Sequence, residues 1–169
     1  MKNFYIFLDI DGVLYDSDYI VREMDSGRMK KGSFICKFKP ESMQALNLLI
    51  KNLKINYNVN LIISSTWRAN MSFTTKTLYD NGLIFDGNID RTPIYDPSRR
   101  GEQILDFLKD KENFDFVIID DEMFDFKKYF SNEKIIKCDM FYSSLSLEMV
   151  ENFLNLMKKT NEHELIIKE

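Results

Sequence analysis

Apolar positions along the chain fall in short blocks whose spacing switches between two periods. Phe4-Tyr5-Ile6-Phe7-Leu8 is an unbroken apolar run closed by Asp9, the pattern of a strand covered on both faces. Val59 to Ile63 and Phe114 to Ile119 repeat it, ending at Ser64-Ser65-Thr66 and at Asp120-Asp121. Helical spacing lies between these runs. Pro40-Glu41 opens a helix whose Met43, Leu46, Leu49, Ile50 and Leu53 share one face. Trp67 to Asn81 contains a second helix, closed by Gly82. Gly101 begins a third, with Ile104, Leu105 and Leu108 on one side, and Leu145 to Lys159 forms the last. Two shorter strands are expected at Leu83-Ile84-Phe85 and at Lys134 to Lys137. Residues 56–60 read as a turn, and residues 86–99, which carry Pro93 and Pro97, as a loop. Residues 15–37 are mixed and polar; they form a loop or short helical excursion over the end of the first strand.

Strands alternating with helices imply an α/β fold with a mostly parallel sheet and helices on both faces. In such sheets ligands sit outside the carboxyl ends of the strands. That rule gathers Asp9 and Asp11, Ser64, Ser65 and Thr66, and Asp120 and Asp121 at one edge.

Composition narrows the setting. The 169 residues fit a single domain spanning 1–169. A net charge of −4 argues against nonspecific nucleic-acid binding driven by overall charge, but leaves room for a local basic patch. Cys36 and Cys138, the only cysteines, give no disulfide framework and no zinc spacing, so a reducing cytoplasm is the expected location. Asp9 and Asp11 interrupt the first apolar run too early for a signal peptide, and no run reaches the length of a membrane span.

The candidate chemistry follows from oxygen ligands. Four converging carboxylates repel one another unless a cation neutralises them. With no cysteine or histidine cluster nearby, the donor set favours a hard cation, magnesium above all. His163, the lone histidine, sits in the charged tail and reads as a solvated surface residue, so a carboxyl group must act as acid and base. In Asp9-Ile10-Asp11-Gly12, one aspartate can attack phosphorus while the other protonates the leaving oxygen and later activates water.

The joint pattern resembles a known family. Asp9-Ile10-Asp11-Gly12-Val13 looks like motif one of the haloacid dehalogenase (HAD) superfamily, Ser64 after Leu61-Ile62-Ile63 like motif two, and Ile118-Ile119-Asp120-Asp121 like motif four. Ser64-Ser65-Thr66-Trp67-Arg68, Gly87 with Thr92-Pro93, Arg100-Gly101-Glu102-Gln103-Ile104 and Asp120-Asp121-Glu122 are similar to the phosphatase branch named for Swiss Army Knife RNA-repair proteins. The resemblance implies a HAD-like Rossmannoid three-layer sandwich with a five-stranded sheet, and residues 15–37 as a minimal cap over an open site. It implies Asp9 as nucleophile and metal ligand, Asp11 as general acid/base with its carbonyl also on the metal, and Asp120 and Asp121 completing a Mg2+ site. Ser64, helped by the Ser65 amide, would bind the transferring phosphoryl group, and Thr66 would lie at the substrate. Arg100 would take the motif-three role, with Arg99 and Lys109 as rivals; Arg99 also counts as a substrate contact. Asp125 could join through waters.

Other positions remain open at this level. Arg68 could reach a second phosphate or the leaving group. Trp67 is either a base-stacking surface or a core anchor, and Arg28, Lys30 and Lys31 either contact a nucleic-acid backbone or form a solvated loop face. The expected activity is a magnesium-dependent phosphomonoesterase working through an aspartyl phosphate on a nucleic-acid end or nucleotide. A 5′(3′)-deoxyribonucleotidase is the alternative enzyme, for which a helical cap and an aromatic base pocket in 15–37 would be diagnostic. A non-catalytic binding module is the alternative of another class, disfavoured because both aspartate pairs are present.

Overall fold

The computed structural model describes the backbone of residues 1–166 and the side chains of residues 1–160, so the side chain of His163 lies outside the described residues. Five strands form one sheet: β1 (Lys2–Leu8), β2 (Tyr57–Ile63), β3 (Ile89–Arg91), β4 (Phe114–Asp120) and β5 (Ile135–Lys137). Their order is β3-β2-β1-β4-β5, and every pairing is parallel. The strand between the two halves is β1, which explains its unbroken apolar run: it is covered on both faces.

Alternation along β1 divides the core. Phe4, Ile6 and Leu8 join Leu61, Ile63, Val117 and Ile119 on one face, where α2 (Pro40–Leu53), α3 (Met71–Asp80) and α6 (Leu147–Ile166) pack. Tyr5 and Phe7 join Ile62 and Ile118 on the other, beneath Ile104 and Leu108 of α4 (Arg100–Leu108) and Phe126 of the short α5 (Phe126–Tyr129). The result is a three-layer sandwich. No helix among the described residues is long and apolar enough to cross a membrane, and both cysteines are free thiols.

Three expectations need correction. The third strand is not Leu83–Phe85 but Ile89–Arg91, inside the segment read as a loop. Leu83 and Phe85 are apolar because they pack into the core as an irregular connection, not because they pair with β2. The expected turn at 56–60 is already β2 from Tyr57 onward. Leu105 faces outward at 38 % exposure, because the α4 face that meets the sheet is the one carrying Ile104 and Leu108.

Residues 15–37 contain one helix, α1 (Ser17–Asp25), followed by an irregular strap. Both ends of this excursion are tied down. Asp16 caps α1 by accepting from the Tyr19 amide at 2.8 Å, and also accepts from Lys39 Nζ at 2.7 Å and Ser144 Oγ at 2.6 Å. The Lys39 amide donates to the Leu14 carbonyl at 2.8 Å, so the chain leaves and re-enters the fold at one point. The strap is also held by Asn81, whose side chain accepts from the Phe38 amide and donates to the Cys36 carbonyl, both at 2.8 Å.

Candidate active site

Parallel register assembles the site. Leu8 lies opposite Ile63 on β2 and Ile119 on β4, so the next residues, Asp9, Ser64 and Asp120, stand side by side where the three strands end. The Asp9 amide still donates to the Ile119 carbonyl at 3.0 Å, and the Ser64 amide to Leu8 at 3.0 Å. Strand alternation points all three side chains toward the α4 face, as with Phe7, Ile62 and Ile118 two residues earlier.

Helix α4 delivers the counter-charge. The buried Arg100 places Nη1 2.9 Å from Asp9 Oδ1 and donates to Asp120 Oδ2 at 2.7 Å. Its guanidinium also lies 4.2 Å over the Phe124 ring. Phe124 holds a positive φ of 37°, a conformation costly for a bulky residue, so the loop after β4 spends strain to make this stack. Asp125 accepts from the amides of Gly101 at 2.6 Å and Glu102 at 3.2 Å, capping the helix that presents Arg100. Its carboxylate is therefore committed to backbone and is not a solvated loop acid. The rivals are oriented elsewhere: Arg99 pairs with Glu102 at the surface, and Lys109 with Asp106 at 2.7 Å.

Carboxylate oxygens of Asp9, Asp120 and Asp121 lie within 4.8 Å of one another. Burial, then the neighbouring Asp120, pushes Asp9 well above the ordinary carboxylate range despite Arg100. Burial likewise lifts Asp120 to about 6 against the pull of Arg100. Asp121 also shifts up, through burial and then Glu122. Arg100 is held protonated, the two carboxylates outweighing its own burial. One cation facing three crowded carboxylates leaves negative charge uncompensated, and the donors are all oxygen; this is the environment a hard divalent cation fits. Gly12 permits the crowding. A Cβ there would fall 2.3 Å from Asp121 Oδ2, and its φ is +72°.

The Asp11 carboxylate is not part of this cluster, although its charge acts on Asp9. Oδ1 accepts from the Tyr15 hydroxyl and from Trp67 Nε1 at 3.1 Å. Burial and that bond to Asp11 raise the phenol's pKa, so Tyr15 remains a donor.

Ser64 is fully buried, and its Oγ has no partner among the described residues. A buried hydroxyl without a partner is uncommon, and this one lies at a strand end next to Asp9 in the sheet. Ser65 caps the following turn, its Oγ accepting from the Trp67 amide at 3.4 Å, and Thr66 is exposed beside it. Arg68 departs from expectation. It is buried, donating to the carbonyls of Ser64 and Ser65 and, at 2.6 Å, to Gln103 Oε1. Those bonds tie the Ser64 loop to α4 and direct the guanidinium into the fold, with Nε left unpartnered among the described residues.

A family model described as the HAD domain in Swiss Army Knife RNA repair proteins matches residues 5–150. The chain belongs to this family. No curated protein and no solved structure matches it. The HAD family is a phosphatase-type hydrolase family that generally uses magnesium, and the described residues include one largely buried acidic cluster, Asp9, Asp120 and Asp121.

Several contributors to this HAD site carry no sequence signal of their own. Phe124 and Tyr15 are ordinary residue types, and Gln103, although part of the Arg100–Ile104 block, gives no sign of its bond to Arg68. Trp67 reads in the sequence as a stacking surface or core anchor; the structure adds its Nε1 donation to Asp11. Asp125 stands out in the sequence only as a possible metal partner through waters; its capping of α4 spans more than twenty residues and has no local signal.

Proposed function

We propose that this chain is a magnesium-dependent phosphomonoesterase that forms an aspartyl phosphate on Asp9. The observation that carries the proposal is the row Asp9, Ser64 and Asp120 across three strand ends, with Arg100 bridging the two aspartates.

Asp9, Asp120, Asp121 and the Asp11 carbonyl would hold the magnesium ion, which supplies the positive charge an anionic nucleophile needs beside a phosphate. Asp9 attacks phosphorus, and the bond to the ester oxygen breaks with its electron pair passing to that oxygen. Arg100 balances charge on Asp9 and on the transferring phosphoryl group. Ser64 Oγ, unsatisfied in its buried position, donates to a phosphoryl oxygen. Asp11 gives the departing oxygen its proton from Oδ2, since Oδ1 is held by Tyr15 and Trp67. Asp11 then takes a proton from water as that water attacks phosphorus, releasing inorganic phosphate and restoring Asp9.

The substrate proposed is a nucleic-acid end or a nucleotide, supported by the RNA-repair description of the family. The deoxyribonucleotidase alternative gains support from α1 and from an aromatic groove beside Asp11. The test is hydrolysis of an aryl phosphate by wild type and Asp9→Asn. Wild type should turn over with magnesium, stop in EDTA and recover on adding magnesium back; Asp9→Asn should be folded and inactive. Turnover by Asp9→Asn, or turnover in EDTA, would sink the mechanism.

A further inference from the structure

Beside Asp11 the surface opens into a groove of about 540 Å3, between the strap after α1 and the turn that follows β2. Its walls are ring faces. Phe34 on the strap lies 5.2 Å from Trp67 and 5.5 Å from Phe73, and Trp67 lies 5.9 Å from Phe73. Tyr15 and Asp11 form its inner end, and Asn70 lines its flank. Phe34 is 66 % exposed, so its ring is accessible from solvent. Asn70 uses only Oδ1 internally, accepting from the Phe73 amide at 3.2 Å.

Three features select the occupant. In a displacement at phosphorus the leaving group departs opposite Asp9, toward the acid that protonates it, and the groove begins at that acid's carboxylate. Its walls offer π-faces with a polar amide at the edge, the combination that receives a flat heteroaromatic ring with hydrogen-bonding edges. The same strap carries Lys30 and Lys31, both exposed, while Arg28 is spent on Glu23 at 2.7 Å. Neither lysine lines the groove, but cations on the segment that carries Phe34 suit an anionic ligand better than an alkyl chain. We infer that this groove is the leaving-group subsite for a nucleobase, which stacks on Phe34 and Trp67 while its sugar carries the scissile phosphate to Asp9. The inference rests on the phosphatase reading for its orientation, but the base contact can be measured without turnover.

Trp67 is the chain's single tryptophan, so its emission reports on the groove directly. Adenosine 5′-monophosphate and ribose 5-phosphate, which differ only in the base, are titrated into Asp9→Asn with magnesium and assayed as substrates of wild type. The nucleotide should quench Trp67 saturably and the sugar phosphate should not, and wild-type kcat/KM should favour the nucleotide. Phe34→Ala should lower that preference roughly 5- to 30-fold, the lower part of what one aromatic–base stack contributes, and Phe34→Tyr should keep it. Equal hydrolysis of both compounds, with no base-dependent quenching, would overturn the subsite and leave the phosphatase standing. Base-dependent quenching in a protein that hydrolyses neither would support the subsite and sink the phosphatase. Phosphorylated dinucleotides distinguish the source of the base: a gain over the mononucleotide marks a polynucleotide end, a loss marks a free nucleotide, and both carry the base in the groove.

Discussion

Arg100 is the residue whose removal the structure prices most clearly. Its side chain is 7 % exposed and faces two carboxylates, Asp9 and Asp120, whose side chains are 5 % and 0 % exposed. Arg100→Ala leaves both buried acids without their cation. Breaking a buried pair by deleting one partner costs about 3–5 kcal/mol. At about 2–4 °C per kcal/mol for a chain of this size, that is a fall in Tm of roughly 6–20 °C. Arg99→Ala removes a surface pair at the helix start and should leave the melting temperature nearly unchanged. The pH dependence has a definite sign. Asp9 and Asp120 already sit above their ordinary value of 3.8 in the folded protein, and losing Arg100 raises them further. Over that window the folded state binds more protons than the unfolded, so stability falls as pH rises through it. In EDTA, the Arg100→Ala deficit should therefore be larger at about pH 8 than at about pH 5. Thermal melts across pH read the stability, and kcat on an aryl phosphate should fall about 10²–10³-fold. If Arg99→Ala does the greater damage in both assays, or the Arg100→Ala deficit grows toward acid, the electrostatic account of the site is wrong.

Two further expectations concern how the site is held. Asp16, lowered to about 2 because Lys39, Ser144 and the Tyr19 amide outweigh its burial, should contribute about 2 kcal/mol. That contribution is complete above its unfolded value and disappears as pH falls through about 2. Asp16→Asn should lower the denaturant midpoint at neutral pH and flatten the acid limb, whereas an unchanged midpoint would contradict the tie between α1, Lys39 and Ser144. Gly12→Ala forces a left-handed residue to carry a Cβ against Asp121, costing at least about 1–2 kcal/mol and weakening magnesium activation. A variant with wild-type melting and an unchanged magnesium requirement would show that Asp121 does not need that space.

Much of the fold was legible because local physics and tertiary burial agree there. β1 is apolar from Phe4 to Leu8 since helices cover both its faces there, and α2 keeps a clean 3.6-residue stripe because only one of its faces meets the sheet. Where the two disagree, the pattern misled. Leu83–Phe85 has the composition of a strand but serves as irregular core filling, while Ile89–Arg91 has a strand's geometry without its composition, since a short edge strand needs only backbone partners.

The sequence by itself determined that acidic and hydroxyl residues end three buried strands, which in a parallel α/β sheet brings them to one edge. It could not say which cation answers them. Arg99 and Arg100 are adjacent and chemically identical; only the phase of α4 turns one inward to Asp9 and Asp120 and the other outward to Glu102. Tertiary structure also decided Arg68, which reads as a phosphate contact until its guanidinium is found among backbone carbonyls. It decided the groove as well, where Phe34, Trp67 and Phe73 meet at Asp11 across a separation that no local periodicity encodes.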